Sequence, residues 1–324
     1  MDFQLSDDQR ALRAGIRELL AGRFGRDRMR AALDTGVAVD RGVWGELGAA
    51  GFFALRLPEV DGGVGLGLPE SVLLFEEAGR VLLPGPLAAT HLAAGAVKGA
   101  ADGGAVVAVL DEGRPVAHLK AADALIALGG GAARVLAGDD VRELVRTARP
   151  VRSLDPLTPL HRVTAGVEHG APLPGATPFR LEGALLTAAE QLGSAARTTE
   201  MAVRHARERE QFGSPIGAFQ AVKHLCAQML VRAEVARAAV YAAAVTADPA
   251  EIAGAKLLAD EAAVGNARDC LQVHGGMGFT WEADVHLHLK RAWLRAGQWL
   301  TAAEAEEALA ADLCGVHACD GGDL

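Results

Sequence analysis

The sequence predicts a mainly α-helical protein with a small β-domain set between two helical regions. Three observations carry that prediction. Apolar residues recur at helical spacing through the first 96 positions, short apolar runs broken by Gly, Asp and Pro fill positions 97–180, and long alanine-rich segments occupy 181–324. At 324 residues and 50% hydrophobic, the chain is long enough for a large buried core and more than one domain. The expected organisation is an N-terminal α-helical domain over 1–96, a shortened middle β-domain over 97–180 and a C-terminal helical bundle over 181–324.

The first helix is announced by Ser6 and Gln9, a capping-box pair ahead of Leu12, Ile16, Leu19 and Leu20. A second helical pattern ends at Gly51, and a turn-rich loop runs from Pro58 through Gly62 to Gly67. Then comes a helix with Val72, Phe75 and Ala78 on its apolar face, punctuated by Pro84-Gly85-Pro86. The runs AVVAVL and ALIALGG read as strands, and Gly129-Gly130-Gly131 as a turn, because no Lys-Ser or Lys-Thr follows to make a phosphate loop. Beyond LEGALLTAAEQLG the helical period returns. Phe219, Val222, Cys226, Met229, Leu230 and Ala233 form one apolar stripe, expected to be core, and small residues on the other faces allow close helix packing or subunit contact.

Composition excludes several classes of function. With 32 Lys and Arg against 41 Asp and Glu, the formal charge of -9 repels a phosphate backbone, and no basic stripe interleaves with aromatics; a nucleic-acid partner is not expected. No apolar run reaches the length of a membrane span, and MDFQLSDDQRALRAG is too acidic for a secretory signal, so a cytoplasmic location without membrane partners is expected. The four cysteines are too scattered for a disulfide framework. Cys226 and Cys270 read as core thiols. The tail places Cys314, His317, Cys319 and Asp320 together, yet a cluster without a second ligand pair is read as a frayed end, and no metal is expected.

Two stretches carry chemistry. In REREQFGSPIGAFQAVKH, Arg209 lies near a helix end, Gln211 and Phe212 follow, and Gln220 opens the next helix. A guanidinium can grip pyrophosphate with two parallel hydrogen bonds, an aromatic face can pack on adenine, and an amide can donate and accept on a sugar or phosphate. A bland alternative pairs Arg209 with Glu208 or Glu210 on a solvated helix. The second stretch, QVHGGMGFTWEADVHLHLKRA, offers Gln272 and the bare backbone of Gly275 and Gly276, where a diphosphate or ribose meets no side chain. Two such stretches at helix boundaries are consistent with one shared ligand.

Together with FQLSDDQRALR, PEVDGGVGLG and FEEAGR, these stretches make nearly the whole chain resemble the acyl-CoA dehydrogenases, flavoproteins with a helical amino-terminal domain, a small β-domain and a carboxy-terminal four-helix bundle. The resemblance implies FAD as cofactor, an acyl-CoA substrate, a flavoprotein electron acceptor, and a role in fatty acid or steroid side-chain catabolism. It also implies that Arg209, Gln211, Phe212, Gln220, Gln272, Gly275 and Gly276 hold the adenosine and pyrophosphate end of FAD, mainly for a neighbouring subunit.

The sequence departs from that family where the reaction needs a base. A carboxylate must take the α-proton beside the flavin. Counting to the family's usual Tyr-Glu-Gly turn reaches Trp299. Glu304, Glu306 and Glu307, nearby, read as a solvated helix face. Some members carry the base at the start of the first bundle helix, where the count reaches Gly183, next to Glu182, a weak candidate. The middle domain also lacks the family's Thr-Glu-Pro, Gly-Ser-Asp and Trp-Ile-Thr segments. Such short, base-less chains resemble one half of a two-component dehydrogenase, implying a full-length acyl-CoA dehydrogenase subunit as hetero-oligomeric partner. The alternatives are a self-sufficient homo-oligomer with Glu182 as relocated base, and a flavin-free assembly scaffold.

Overall fold

The computed structural model describes residues 4–164 and 170–315. They form a mainly helical protein with helical amino- and carboxy-terminal regions and a small β-region between. By contact they divide into two compact units. One holds residues 5–74 and 81–183; the other holds Gln4, residues 75–80 and the chain from Ala184 onward. Among the described residues no helix is long and apolar enough to cross a membrane.

The first unit begins with α1 (Asp7–Arg23), whose expected capping box between Ser6 and Gln9 is present. Helix α1 buries Ile16 and Leu20; α2 (Arg26–Thr35) and α3 (Arg41–Ala49) follow. Trp44, Leu47, Phe52 and Phe53 are almost fully buried around α3. Gly48 is required there, since a Cβ would lie 2.1 Å from the Asp102 carbonyl. Helix α4 (Leu68–Arg80) buries Val72, Phe75 and Ala78 as expected, and α5 (Leu87–Leu92) follows the Pro-Gly-Pro break.

The β-region of this unit contains β1 (Val107–Asp111), β2 (Val116–Ala117), β3 (Ala124–Gly129) and β4 (Ala132–Ala137), then α6 (Asp139–Thr147), β5 (Arg149–Val151), β6 (Leu160–Arg162) and β7 (Ala171–Leu173). One sheet has the order β1-β3-β4-β7, with β1 and β3 parallel, and a second runs β2-β6-β5. Gly130 and Gly131, at φ 54° and 78°, make the two-residue turn of the β3–β4 hairpin, so the triple glycine is a turn. Val141 and Leu144 of α6 close a core with Ala108, Leu125 and Leu136 of the sheet.

The second unit is the helical bundle. Its helices are α7 (Ala176–Glu208, from Ala184), α8 (Gln220–Thr246), α9 (Pro249–His274) and α10 (Val285–Arg295), with α11 (Ala302–Leu313) against α9. Residues 75–80, the end of α4, belong with it. There Gly79 and Gly193 allow backbone contact: a Cβ on Gly79 would lie 2.0 Å from the Glu190 carbonyl oxygen, and one on Gly193 1.9 Å from that of Glu76. Buried polar groups register the helices. Gln191 donates to Asp260 at 2.9 Å and to the Ala292 carbonyl at 3.0 Å, Lys256 pairs with Asp260, and Arg295 pairs with Glu190. Asn266 donates to the Met229 carbonyl at 2.8 Å, fixing α9 against α8.

The stripe expected on α8 is only partly core. Met229 and Ala233 are buried, and Val222 and Cys226 pack beside them, but Leu230 is 54% and Phe219 39% exposed. Consecutive helical residues point ~100° apart, and the covered face of α8 ends between Met229 and Leu230. Leu230 is exposed, as are Val231 and Val235 on the same helix.

Candidate functional site

The first motif follows the end of α7. The Arg209 N–H donates to the His205 carbonyl at 2.8 Å, and its own carbonyl accepts from Ile216 at 2.8 Å, closing a small hairpin of β8 (Glu210–Gln211) and β9 (Ser214–Pro215). Phe212 and Gly213 are its two turn residues, at φ 53° and 77°. Both signs are what a two-residue type I′ turn demands, and Gly meets that demand freely whereas Phe does so at a cost. The turn holds the Phe212 ring 94% exposed, in an edge-to-face arrangement with Phe219 at a centroid distance of 6.0 Å. Gln211 donates to the Glu210 carbonyl at 2.7 Å, and Gln220 stands exposed as the first residue of α8. Arg209 is exposed and, among the described residues, forms no ion pair with Glu208 or Glu210.

The second motif follows the end of α9. Gln272 is exposed two residues before the end, and its carbonyl accepts the Gly275 N–H. Gly275, at φ 60° and ψ -146°, occupies backbone space that side chains avoid, and a Cβ on Gly276 would meet nothing within 4 Å. Both glycines therefore leave open backbone at the surface. Beyond them Met277, Phe279 and Trp281 are more than half exposed, and Trp281 is held by stacking on His286 and by Lys290 4.9 Å over its ring.

The two motifs meet. His205 of α7 and His274 of α9 stack with centroids 4.1 Å apart and 17° between planes. His274 Nδ1–H donates to the Cys270 carbonyl at 2.8 Å. Burial first, and then His274 and Arg209, hold the His205 imidazole below its ordinary pKa. Beneath them Ile216 of the first motif, Val222 and Leu225 of α8, and Leu271 and Val273 of α9 share one core cluster. Between Arg204 and Lys223 the sequence has four Lys or Arg and two Glu, so the surface is locally cationic on an acidic chain. Exposed cations, an exposed aromatic face, amides and bare backbone together suit a flat-ringed, anionic nucleotide. Sequence reading did not single out His205 and His274. Histidines at the ends of two helical patterns carry no local signal that their rings will meet.

The candidates for a catalytic base are occupied otherwise. Trp299 is 7% exposed at φ 62°, inside a tight turn closed by the Leu300 N–H on the Gln298 carbonyl. Glu182 lies in the first unit, where Arg56 grips it with two bonds of 2.5 and 3.3 Å. Glu304 caps α11 by accepting from Thr301, and Glu306 and Glu307 are exposed on the same helix. Of the tail cluster, Cys314 is exposed, and His317, Cys319 and Asp320 lie outside the described residues. Among the described residues no group of three His, Cys, Asp or Glu side chains is placed to hold a metal.

Comparison with known proteins agrees with this architecture. Residues 6–105 match the profile described as acyl-CoA dehydrogenase, N-terminal domain, and residues 181–297 that described as acyl-CoA dehydrogenase, C-terminal domain. The chain is 36% identical over 295 residues to acyl-CoA dehydrogenase IpdE2 of Mycobacterium tuberculosis, covering 88% of this chain and 91% of that protein. It is 37% identical over 320 residues to acyl-CoA dehydrogenase FadE34 of the same organism, covering 85% of this chain but 44% of that protein. Among solved structures, a chain of the ChsE4-ChsE5 complex from Mycobacterium tuberculosis superposes with a TM-score of 0.82 at 23% identity, covering 97% of this chain and 99% of that one.

Proposed function

The chain belongs to the acyl-CoA dehydrogenase family, and on that premise we propose that it completes the FAD site of a catalytic partner subunit in the α,β-dehydrogenation of an acyl-CoA thioester. The observation that carries this reading is a contrast within one unit. Arg209, Phe212, Gln272 and Gly276 are exposed at two joined motifs, whereas the position where the family's base is expected holds the buried Trp299. Residues for gripping a nucleotide are kept and the residue for moving the α-proton is not.

The fit to FAD rests on this chain's own groups. The exposed guanidinium of Arg209, without an ion pair among the described residues, suits the pyrophosphate, and the Phe212 ring suits the adenine face. Gln211, Gln220 and Gln272 suit the sugar and phosphate oxygens, and the backbone of Gly275 and Gly276 admits close approach. FAD, when bound, supplies the two-electron oxidation of the α,β carbon-carbon bond. The partner supplies the carboxylate that takes the α-proton, and a flavoprotein acceptor removes the electrons. Two relatives support a paired arrangement: one solved neighbour is a two-component complex, and more than half of FadE34 lies outside the part that this chain matches.

The test is to purify the chain alone and co-expressed with full-length dehydrogenases, measuring flavin per chain and acyl-CoA oxidation with an artificial electron acceptor. Flavin and turnover are expected only in the pair. Stoichiometric FAD and turnover in the lone chain would establish the self-sufficient enzyme; a partnered chain that never affects flavin content would establish a scaffold.

A further inference from the structure

The first unit contains a cavity of about 310 Å³ at one end of its sheet core, lined among others by Leu110, Glu112, Arg114, Ala127, Arg134 and Val163. Strand register explains why it is there. Paired positions across β1, β3 and β4 form rungs on one face: Ala108, Leu125 and Leu136 make a filled rung under α6. Two residues further along, the same face carries Leu110, Ala127 and Arg134. Beyond that, Gly129 pairs with Ala132. Large apolar side chains give way to Ala, Gly and Ala, and Arg stands where the core-facing alternation calls for an apolar residue.

Arg134 Nη1 reaches the Gly170 carbonyl at 3.4 Å, and among the described residues its guanidinium forms no ion pair. Arg114 lies 3.3 Å from a carboxylate oxygen of Asp111, but Asp111 is also bound by Arg180, so two guanidiniums share one buried carboxylate. Among the described lining residues two are Arg and one is Glu. A void beside a packed core forfeits dispersion contacts, and a half-buried guanidinium without an ion pair gives up part of its hydration. A ligand with an apolar body and an anionic end offsets both.

We propose that this cavity binds a small aliphatic carboxylate, its chain on Leu110, Ala127 and Val163 and its carboxylate on Arg134 with Arg114 beside it. The site lies wholly within the first unit and is independent of the nucleotide-binding motifs. Titrating octanoate into the full chain by calorimetry tests it, with octanol as the uncharged control. One octanoate per chain is expected, with a raised unfolding midpoint. Octanol and the Arg134→Gln chain should each bind about tenfold or more weakly, and Ala127→Leu, which fills the floor, should abolish binding. If Ala127→Leu fails to fold, Arg134→Gln, at a half-exposed position, decides the matter by itself. Absence of saturable octanoate binding, or equal affinity for octanol, or undiminished affinity in either folded variant, overturns the proposal.

Discussion

His205 and His274 stack face to face at 4.1 Å, and this contact joins the end of α7 to the end of α9. Each ring sits next to a motif proposed to grip the nucleotide, Arg209 four residues after His205 and Gly275 immediately after His274. The motifs are thereby set by helix packing, with Ile216 and Leu271 in one core cluster below them. Positions fixed by packed helices are more precise than positions left to loops.

Arg209→Ala should weaken FAD retention by the assembled enzyme while leaving the fold intact. The guanidinium is exposed, so its loss removes a charge-assisted bond of about 1.5–3 kcal/mol, tenfold or more in affinity, without opening the core. Flavin content measured after dilution into FAD-free buffer is the readout. Unchanged retention would count against the assignment.

Glu182→Gln should leave turnover of the assembled enzyme nearly unchanged. The amide keeps one hydrogen bond to Arg56, and a half-exposed pair of this kind is worth about 1 kcal/mol or less. A loss of several orders of magnitude in kcat, with folding and flavin content intact, would return the role of base to Glu182.

Phe212→Asn should separate stability from function. Asn tolerates the left-handed backbone that costs Phe about 1–2 kcal/mol, and the 94% exposed ring has little burial to lose. A small gain in the unfolding free energy of the lone chain is expected, together with weaker FAD retention in the assembly. A destabilised chain that keeps its flavin would contradict both parts.

Stability should fall in acid because buried histidines are held neutral. The His91 Nδ1–H donates to the Phe52 carbonyl at 3.1 Å, and burial, reinforced by Arg56 and opposed by that bond, lowers its pKa to about 4; buried His288 is lowered to about 3. Between those values and the unfolded value of 6.5 the unfolded chain binds more protons, so stability rises with pH through this window and is lost as pH falls below 6.5. His91 alone should cost about 2 kcal/mol between pH 7 and pH 5. Urea unfolding at the two pH values measures it, and His91→Gln should shrink the difference by about 2 kcal/mol while the His288 part remains.

Much of the fold was legible because its signals are local. Ser6 with Gln9 capped a helix, Gly130-Gly131 turned a hairpin, and Val72, Phe75 and Ala78 lay on a buried face, each by rules spanning a few residues. The α8 stripe failed at Leu230 because periodicity says which residues share a face but not how wide the covered part will be.

The sequence by itself determined the family and the mainly helical class, since these depend on residue types at short, fixed spacings. Only the tertiary structure decided that His205 would meet His274, that Trp299 would be buried in a left-handed turn, and that Glu182 would meet Arg56 across 126 positions. Such meetings are set by the summed packing of whole helices and sheets, to which each pair contributes too little to leave its own mark in the sequence.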